Sequence, residues 1–254
     1  MCQYAQAVSV LLLSLTLVAC QSTSTFSKPL SERSKLAEIN TELGGQYLSN
    51  GEYQIAMDKL NKAIELDPRH VDAHATLGLL YSVLGQHEQA EASFKQALRI
   101  EPNNSAALNN YGQFLCQRGR YDEGQKTIMK AVENPLYRNA ENAYYNAGVC
   151  ALTGGQLEQA DANFRRALER DPQLAPALLQ MADLSLQQQH ALQGRAYLQR
   201  FVAVADANAR SLWLGVQIER QLGDRDAEAS YGLQLEKNFP DSPQTKLLLE
   251  SKPK

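Results

Sequence analysis

The sequence predicts an all-α protein, a superhelical solenoid of about six helix-turn-helix repeats. Glycine, alanine and proline recur at intervals of 34 residues, a length that fits one pair of helices. Apolar residues within each interval follow the spacing of a helix face, not the alternation of a strand. Of the 254 residues, 44% are hydrophobic and 21% are charged, a balance that supports a folded core.

The N-terminal segment is uncharged and apolar, but it is too short to cross a bilayer. A membrane-spanning helix needs about 20 apolar residues, and the apolar run covers only residues 7–19. Residues 1–19 therefore indicate a signal peptide. The ending Leu17-Val18-Ala19-Cys20 resembles the bacterial lipobox. This resemblance implies that Cys20 becomes the first residue of the mature chain and carries a diacylglycerol and an acyl chain such as palmitate. The alternative is an ordinary signal peptide followed by an unrelated cysteine.

The residues after Cys20 predict a tether and a location. In bacterial lipoproteins an Asp after the lipidated cysteine retains the protein at the inner membrane. Gln21 in that place implies the periplasmic face of the outer membrane. Residues 20–36 begin with a stretch rich in Ser and Thr, which is typical of a flexible linker.

Regular glycine spacing defines the repeats. Gly44, Gly78 and Gly112 are 34 residues apart, and Gly148 follows after 36, which indicates a two-residue insertion near residues 134–138. The predicted units are 37–70, 71–104, 105–138, 141–174, 175–208 and 209–242. Residues 243–254 are predicted to form a C-terminal tail.

Each recurring residue has a physical role in such a unit. Glycine inside a helix costs about 1 kcal/mol relative to alanine, so close approach of the second helix must offset it. We expect the facing small side chains to be Ala56, Ala90 and Ala160. Asp-Pro and Glu-Pro pairs, as at Pro68 and Pro102, end the second helices because proline disfavours helical geometry in the residue before it.

This pattern resembles the tetratricopeptide repeat (TPR), a helix-turn-helix unit of 34 residues. Units five and six depart from it. Gln189 replaces the turn glycine of the fifth unit, and Val216 stands where the sixth should have Gly or Ala. Terminal repeats are often atypical because one of their faces meets solvent.

The first helices of a TPR solenoid line its concave surface, which makes that groove the candidate binding site. By resemblance to peptide-binding repeats, Asn110 and Asn146 could hydrogen-bond the backbone of a bound peptide. The alternative is that they are only consensus residues of the repeat. Apolar side chains predicted to face inward suggest an apolar groove, and they are Leu48, Leu79, Val83, Tyr145 and Leu152.

Two cysteines remain once Cys2 and Cys20 are assigned to the signal peptide and the anchor. Cys116 and Cys150 lie late in the first helices of the third and fourth repeats, which should be neighbours. In an exported protein they favour a disulfide that clips the junction carrying the insertion. Two buried free thiols are the alternative.

No catalytic motif is evident, so we expect a protein that is not an enzyme and uses neither a cofactor nor a small-molecule substrate. His70 and His74 are four residues apart, but His70 falls in the turn between repeats and we expect no third metal ligand nearby. A net charge of −3 argues against nucleic-acid binding, which needs clustered Lys and Arg.

The combination of lipobox, short tether, six repeats and two cysteines resembles the PilF/PilW pilotin family of type IV pilus biogenesis. The resemblance implies a lipoprotein whose groove binds secretin subunits and promotes their localisation and multimerisation at the outer membrane. The alternative partner is a peptidoglycan hydrolase or a periplasmic protease, recruited by a TPR lipoprotein scaffold.

Overall fold

The computed structural model describes residues 32–251, and every regular element within that range is an α-helix. The first helices of the six repeats are α1 (Glu32–Ser49), α3 (Val71–Val83), α5 (Ser105–Gln117), α7 (Ala140–Thr153), α9 (Ala175–Gln187) and α11 (Ala209–Leu222). The second helices are α2 (Tyr53–Leu66), α4 (His87–Ile100), α6 (Tyr121–Ala131), α8 (Leu157–Arg170), α10 (Ala191–Val202) and α12 (Arg225–Asn238). A last helix, α13, covers Pro243–Glu250. The predicted all-α TPR fold is confirmed.

Stacking of the repeats produces a continuous core. The two helices of each repeat pack together, and every second helix also packs on the first helix of the next repeat. First helices contact each other along the pairs α1–α3, α3–α5, α5–α7 and α9–α11. Buried clusters therefore cross repeat boundaries, as where Phe94 of α4 packs with Tyr111 and Phe114 of α5. No repeat could bury its apolar face alone.

A small residue in the first helix faces a large side chain sixteen positions later. A Cβ atom added to Gly78 or Gly148 would lie 2.9 or 2.5 Å from the ring of the facing phenylalanine. The glycine pairs in the first four repeats are Gly44 with Leu60, Gly78 with Phe94, Gly112 with Ile128 and Gly148 with Phe164. The side chains nearest to these glycines are thus the large ones and not Ala56, Ala90 or Ala160, although the backbone oxygen of Ala56 would lie 3.5 Å from a Cβ on Gly44. A large side chain seated over a missing Cβ buries more apolar surface than an alanine would.

The sixth repeat keeps the same contact one residue earlier. A Cβ on Gly215 would lie 2.7 Å from the ring of Tyr231, again sixteen residues away. Val216, which interrupts the sequence pattern, is buried in a cluster with Leu212, Leu235 and Leu248. The apparent loss of the glycine is therefore a shift in register of both partners.

The tether prediction is wrong for residues 32–36, which form the first turns of α1. The Arg33 guanidinium donates to the backbone oxygen of Glu65 at 3.0 Å, and the Ser34 hydroxyl donates to Asp67 at 3.5 Å. These bonds hold the added turns against the end of α2. Residues 1–31, with the predicted signal peptide and Cys20, lie outside the described range.

The tail prediction is wrong for residues 243–250, which form α13. Ser242 caps this helix by accepting a hydrogen bond from the Thr245 amide at 3.1 Å, and Pro243 occupies its first turn. Leu248 and Thr245 are buried against the last repeat. A serine followed by proline is a helix-start signal that the repeat period alone does not reveal.

Among the helices described between residues 32 and 251, none combines the length and the apolar character needed to cross a bilayer.

Candidate partner-binding surface

The surface formed by α1, α3, α5, α7, α9 and α11 is called the first-helix face below. It carries every side chain that the sequence assigned to the groove, because those positions recur at fixed places in the first helix. The repeat–repeat packing fixes their spacing across the face. Repeats that stack with a constant rotation make such a face concave.

The apolar groove residues of the first two repeats differ in how they meet solvent. Leu48 and Leu79 are half-buried, and each packs against an apolar cluster of the core. Val83, at the end of α3, is 57% exposed. Of these three residues, Val83 therefore offers the most apolar surface to a partner.

Tyr145 and Leu152 in the fourth repeat are mainly core-packing residues. Both are half-buried and pack against the largest apolar cluster, which spans α7 to α11. The Tyr145 ring lies 5.9 Å from the Phe164 ring, centroid to centroid, in a tilted arrangement. Because both side chains pack on this cluster, they stabilise the repeat and leave only part of their surface to a partner.

Three asparagine side chains connect the third and fourth repeats. The Asn146 amide donates to the Asn109 side-chain oxygen at 3.1 Å, and the Asn109 amide lies 3.5 Å from the Asn110 oxygen. Asn109 is buried, whereas Asn110 and Asn146 are half-buried. This network orders the amides, and each half-buried side chain keeps some exposed surface.

A shallow depression of about 180 Å³ lies beside this network, between α5 and α7. Every side chain that lines it is uncharged; the lining residues are Gln113, Cys116, Gln117, Asn146, Val149, Cys150 and Thr153. Amide groups at the rim can donate and accept hydrogen bonds, and Val149 offers an apolar contact. Such a site suits an uncharged polypeptide segment better than a charged ligand.

A disulfide joins the two cysteines that line this depression. The Cα atoms of Cys116 and Cys150 are 5.5 Å apart, so α5 is covalently linked to α7. Gly124 of α6 leaves room for the bridge, since a Cβ there would lie 2.3 Å from the Cys116 sulfur. The link fixes the junction that follows the third repeat.

Sequence reasoning missed several residues of this surface. Asn109 precedes Asn110, but its role depends on the contact with Asn146 in the next repeat. Gln113 and Gln117 follow Asn109 at intervals of four residues, so they share one stripe of α5. That spacing of amide side chains was the available signal. The Ser82 hydroxyl donates to the Gln117 oxygen at 3.3 Å and extends the polar contacts to α3.

A charged cluster holds the second repeat to the third. Glu91 accepts hydrogen bonds from Lys95, Arg120 and Tyr111 at 2.8–3.0 Å. The bond from Lys95 contributes most to lowering the pKa of Glu91 to about 2, and those from Arg120 and Tyr111 add to it. Burial, followed by the bond to Glu91, raises the pKa of Tyr111 to about 12. Through the neutral range Glu91 is therefore ionised and the Tyr111 hydroxyl keeps its proton.

The part of the chain that the structure describes contains no set of metal ligands. Between residues 32 and 251, no group of three His, Cys, Asp or Glu side chains is placed to hold an ion. The His74 ring nitrogen instead lies 2.9 Å from the backbone oxygen of Pro68, where it closes the inter-repeat turn.

Comparison with known proteins identifies both the repeat family and a relative that is similar over nearly the whole chain. The tetratricopeptide-repeat family matches residues 44–85, 84–135 and 141–174. The type IV pilus assembly protein PilF of Pseudomonas aeruginosa is 33% identical over 240 residues, covering 93% of this chain and 95% of the relative.

Two solved structures are similar over nearly their whole length. That of Pseudomonas aeruginosa PilF superposes with a TM-score of 0.77 at 32% identity and covers 87% of this chain and 99% of its own. That of PilW, described as a widely conserved type IV pilus biogenesis factor, gives a TM-score of 0.77 at 30% identity, covering 85% and 99%.

Proposed function

The chain belongs to the PilF/PilW family of TPR proteins, and on that premise we propose that it acts in type IV pilus biogenesis as a pilotin. In this role it binds secretin subunits and promotes their localisation and multimerisation at the outer membrane. The main support is the 33% identity to PilF, which extends over 93% of the chain. The function is one of binding rather than catalysis.

The first-helix face supplies the contacts for this role. Its uncharged depression between α5 and α7 offers amide groups for a polypeptide backbone, and Val83 offers exposed apolar surface near the second repeat. The disulfide and the asparagine network hold α5 and α7 in fixed positions. A preformed surface loses less conformational entropy when a partner binds.

The lipid anchor proposed at Cys20 would carry the bound subunit to the outer membrane. Cys20 precedes α1 by twelve residues, and an extended segment of that length reaches about 40 Å. The first-helix face can therefore work close to the membrane surface. Replacing Cys20 with Ser should abolish incorporation of labelled palmitate and release the protein into the soluble periplasmic fraction. Unchanged labelling of this variant would contradict lipidation at Cys20.

Deletion of the protein tests the pilotin proposal directly. We expect the deletion strain to lose the secretin multimers that resist heat and detergent, while secretin monomers accumulate. Gel electrophoresis of unheated and heated membranes, followed by immunoblotting, measures both forms. Normal multimers in the deletion strain would refute the proposal.

Complementation of the deletion strain with point variants distinguishes a loss of binding at the first-helix face from a loss of folding. Val83→Asp should restore fewer multimers than the wild type because it places a charge on the apolar part of the face. Leu136→Asp is the matched control, since Leu136 is 85% exposed in the inserted segment between α6 and α7. Equal multimer levels for both variants would show that this part of the face does not bind the secretin. Pull-down from solubilised outer membrane distinguishes a secretin from a hydrolase or protease partner.

A further inference from the structure

A second depression lies between the second helices of repeats three and four, α6 and α8, and is called the outer depression here. Its volume is about 380 Å³. The residues that characterise it are Asp122, Gln125, Lys126 and Met129 of α6 with Asn163 and Arg166 of α8. First helices line the concave side of a TPR solenoid, so the second helices form its outer side. The outer depression is therefore separate from the first-helix face.

The base of the outer depression holds a buried amide without a partner. The Asn163 side chain is 8% exposed, and no described residue forms a hydrogen bond with it. At the same place in repeats two and three, the hydroxyls of Ser93 and Thr127 donate to a backbone oxygen four residues earlier, each at 2.8 Å. A buried amide without a hydrogen bond destabilises a fold. Packing therefore gives no reason for Asn163, whose side chain lines the depression.

A second amide at the base keeps an acceptor for a ligand. Gln125 is also 8% exposed, and its side-chain nitrogen donates to the Gln156 oxygen. The Gln156 nitrogen in turn donates to Asp122 at 2.8 Å. These hydrogen bonds hold Gln125 in place and leave its oxygen as an acceptor. Together, the side chains of Asn163 and Gln125 offer both donors and acceptors.

Two cations at the edge of the outer depression form no ion pair. Lys126 on α6 and Arg166 on α8 are exposed, and neither makes a salt bridge with a described residue. The Arg166 guanidinium lies 5.9 Å from the centre of the Tyr144 ring, and this cation–π contact orients it. Asp122 is the one acidic residue of the lining. The depression is therefore positively charged, on a chain whose net charge is −3.

We propose that the outer depression binds a short acidic segment of a polypeptide. A Glu or Asp carboxylate of this segment pairs with Lys126 and Arg166, and its backbone exchanges hydrogen bonds with Gln125 and Asn163. Half-buried Met129 contacts the apolar part of the ligand. The ligand thus supplies partners for both the unpaired cations and the unpartnered amide.

The lining distinguishes a peptide from an isolated anion. A phosphate ion presents mainly acceptors, but the outer depression itself contains acceptors, the Gln125 oxygen and the Asp122 carboxylate. Those acceptors require N–H donors, which a peptide backbone has and a phosphate lacks. The volume also lies within the range of about 300–1,000 Å³ that is usual for ligand sites, and a single phosphate would leave most of it empty.

The position of the outer depression allows two ligands at once. Its occupant lies on the outer side of the solenoid, so it does not compete with a protein bound at the first-helix face. The inference does not depend on the pilotin role, because it is tested by direct binding and not by secretin multimers.

Methyl NMR of the full chain with labelled methionines tests this inference. Met129 lines the outer depression, whereas Met57 and Met181 pack in core clusters elsewhere and serve as internal controls. The probes are the blocked peptide Ala-Glu-Ala-Ala and its matched form Ala-Gln-Ala-Ala. We expect the glutamyl peptide to shift the Met129 signal saturably and the glutaminyl peptide to bind about tenfold more weakly. Equal affinities, or no saturable shift, would overturn the inference.

Charge removal at the edge locates the binding. Lys126→Gln and Arg166→Gln should each weaken binding of the glutamyl peptide about fivefold, because each removes one charge-assisted contact at an exposed position. The matched controls are Lys130→Gln and Arg170→Gln, which remove an exposed charge one turn further along the same two helices, outside the lining. Controls that weaken binding as much would assign it to general charge attraction and overturn the site.

Asn163→Leu separates binding from folding. This variant should lose binding of the glutamyl peptide while its thermal unfolding midpoint stays the same or rises, because an apolar side chain of similar size replaces an unpartnered amide. A lower midpoint would show that the amide has a partner within the fold, which would contradict the proposed role.

Sodium phosphate is titrated in the same way to test an isolated anion. We expect no saturable shift of the Met129 signal. Phosphate that binds as tightly as the glutamyl peptide would overturn the assignment of a peptide ligand.

Discussion

The turn between the two helices of each repeat contains one residue with a positive φ angle. Glycine occupies this position in five repeats, at φ angles of 72–79°. The fifth repeat has Gln189 there, at a φ angle of 62°. A residue with a Cβ is strained in this region of backbone conformation. The helix-turn-helix geometry therefore overrides the preference of the residue.

Replacing Gln189 with Gly should stabilise the protein. Relief of the left-handed strain outweighs the greater entropy of glycine in the unfolded chain, for a net gain of about 0.5–1 kcal/mol. Urea unfolding measures the change. The reverse substitution, Gly155→Gln at the equivalent turn, is the matched control and should destabilise by a similar amount. A loss of stability in Gln189→Gly would show that the glutamine makes a compensating contact.

Glu91 makes the stability of the repeat 2–3 junction depend on pH. Its pKa falls from 4.5 to about 2 in the folded protein, mainly through the hydrogen bond from Lys95. The stabilisation is complete above pH 4.5 and is lost as the pH falls towards 2. Glu91→Gln should therefore flatten the pH dependence of the unfolding free energy in this window. Glu169→Gln, at an exposed position on α8, is the control. An identical slope in wild type and Glu91→Gln would contradict the assignment.

At the scale of the elements, the repeat is held by a small residue and a large one sixteen positions apart. The pairing is kept in the sixth repeat, where the pair is Gly215 and Tyr231 and each residue lies one position earlier than the period predicts. The same spacing relates Gly232 to Leu248, which joins α12 to α13. Close packing of a helix pair therefore depends on the sixteen-residue separation between the small and the large residue more than on the position that either one occupies within the repeat.

Gly148→Ala should destabilise the fourth repeat, whereas Gly45→Ala should not. A methyl group on Gly148 would lie 2.5 Å from the Phe164 ring, and such overpacking costs about 1–3 kcal/mol. Gly45 lies in α1 with no neighbouring atom within 4 Å of the added Cβ, so helix propensity should give a gain of up to about 1 kcal/mol. Thermal unfolding compares the two variants. Equal effects would mean that the contact with Phe164 relaxes at no cost.

At the scale of the whole molecule, the solenoid is a row of units that contact only their neighbours. The stability of the protein then depends on each interface between repeats, and a weak interface allows the repeats on its two sides to unfold separately. The insertion between α6 and α7 interrupts the period at the middle of the chain. The disulfide between α5 and α7 spans this place, so it couples the two halves of the protein.

Replacing both cysteines with serine should weaken this coupling. A disulfide between residues 34 positions apart in the chain typically contributes about 2–4 kcal/mol. Denaturant unfolding should show a lower midpoint and a broader transition, because the halves then unfold less cooperatively. The wild type treated with a reductant should behave like the variant, and the variant itself should not respond to the reductant. Mass spectrometry of unreduced wild-type protein checks the pairing, and free thiols at both positions would exclude it.

The repeat period by itself determined the fold class, the six units and the helix ends at Pro68 and Pro102, because each repeat has the same neighbours and so needs the same residues. The ends of the solenoid lack those neighbours. Only the tertiary structure therefore decided that residues 32–36 extend α1, that 243–250 form a closing helix, and that Ile39 remains exposed.

The residues of the candidate site were likewise only partly predictable from the sequence. Asn110 and Asn146 could be placed on the first-helix face from their position in the repeat. Sequence could not reveal that Asn109 joins them, that Tyr145 and Leu152 are mostly committed to the core, or that an uncharged depression lies beside the disulfide. The period determines which residues point the same way, and the packing of adjacent repeats decides which of them touch each other and which are left for a partner.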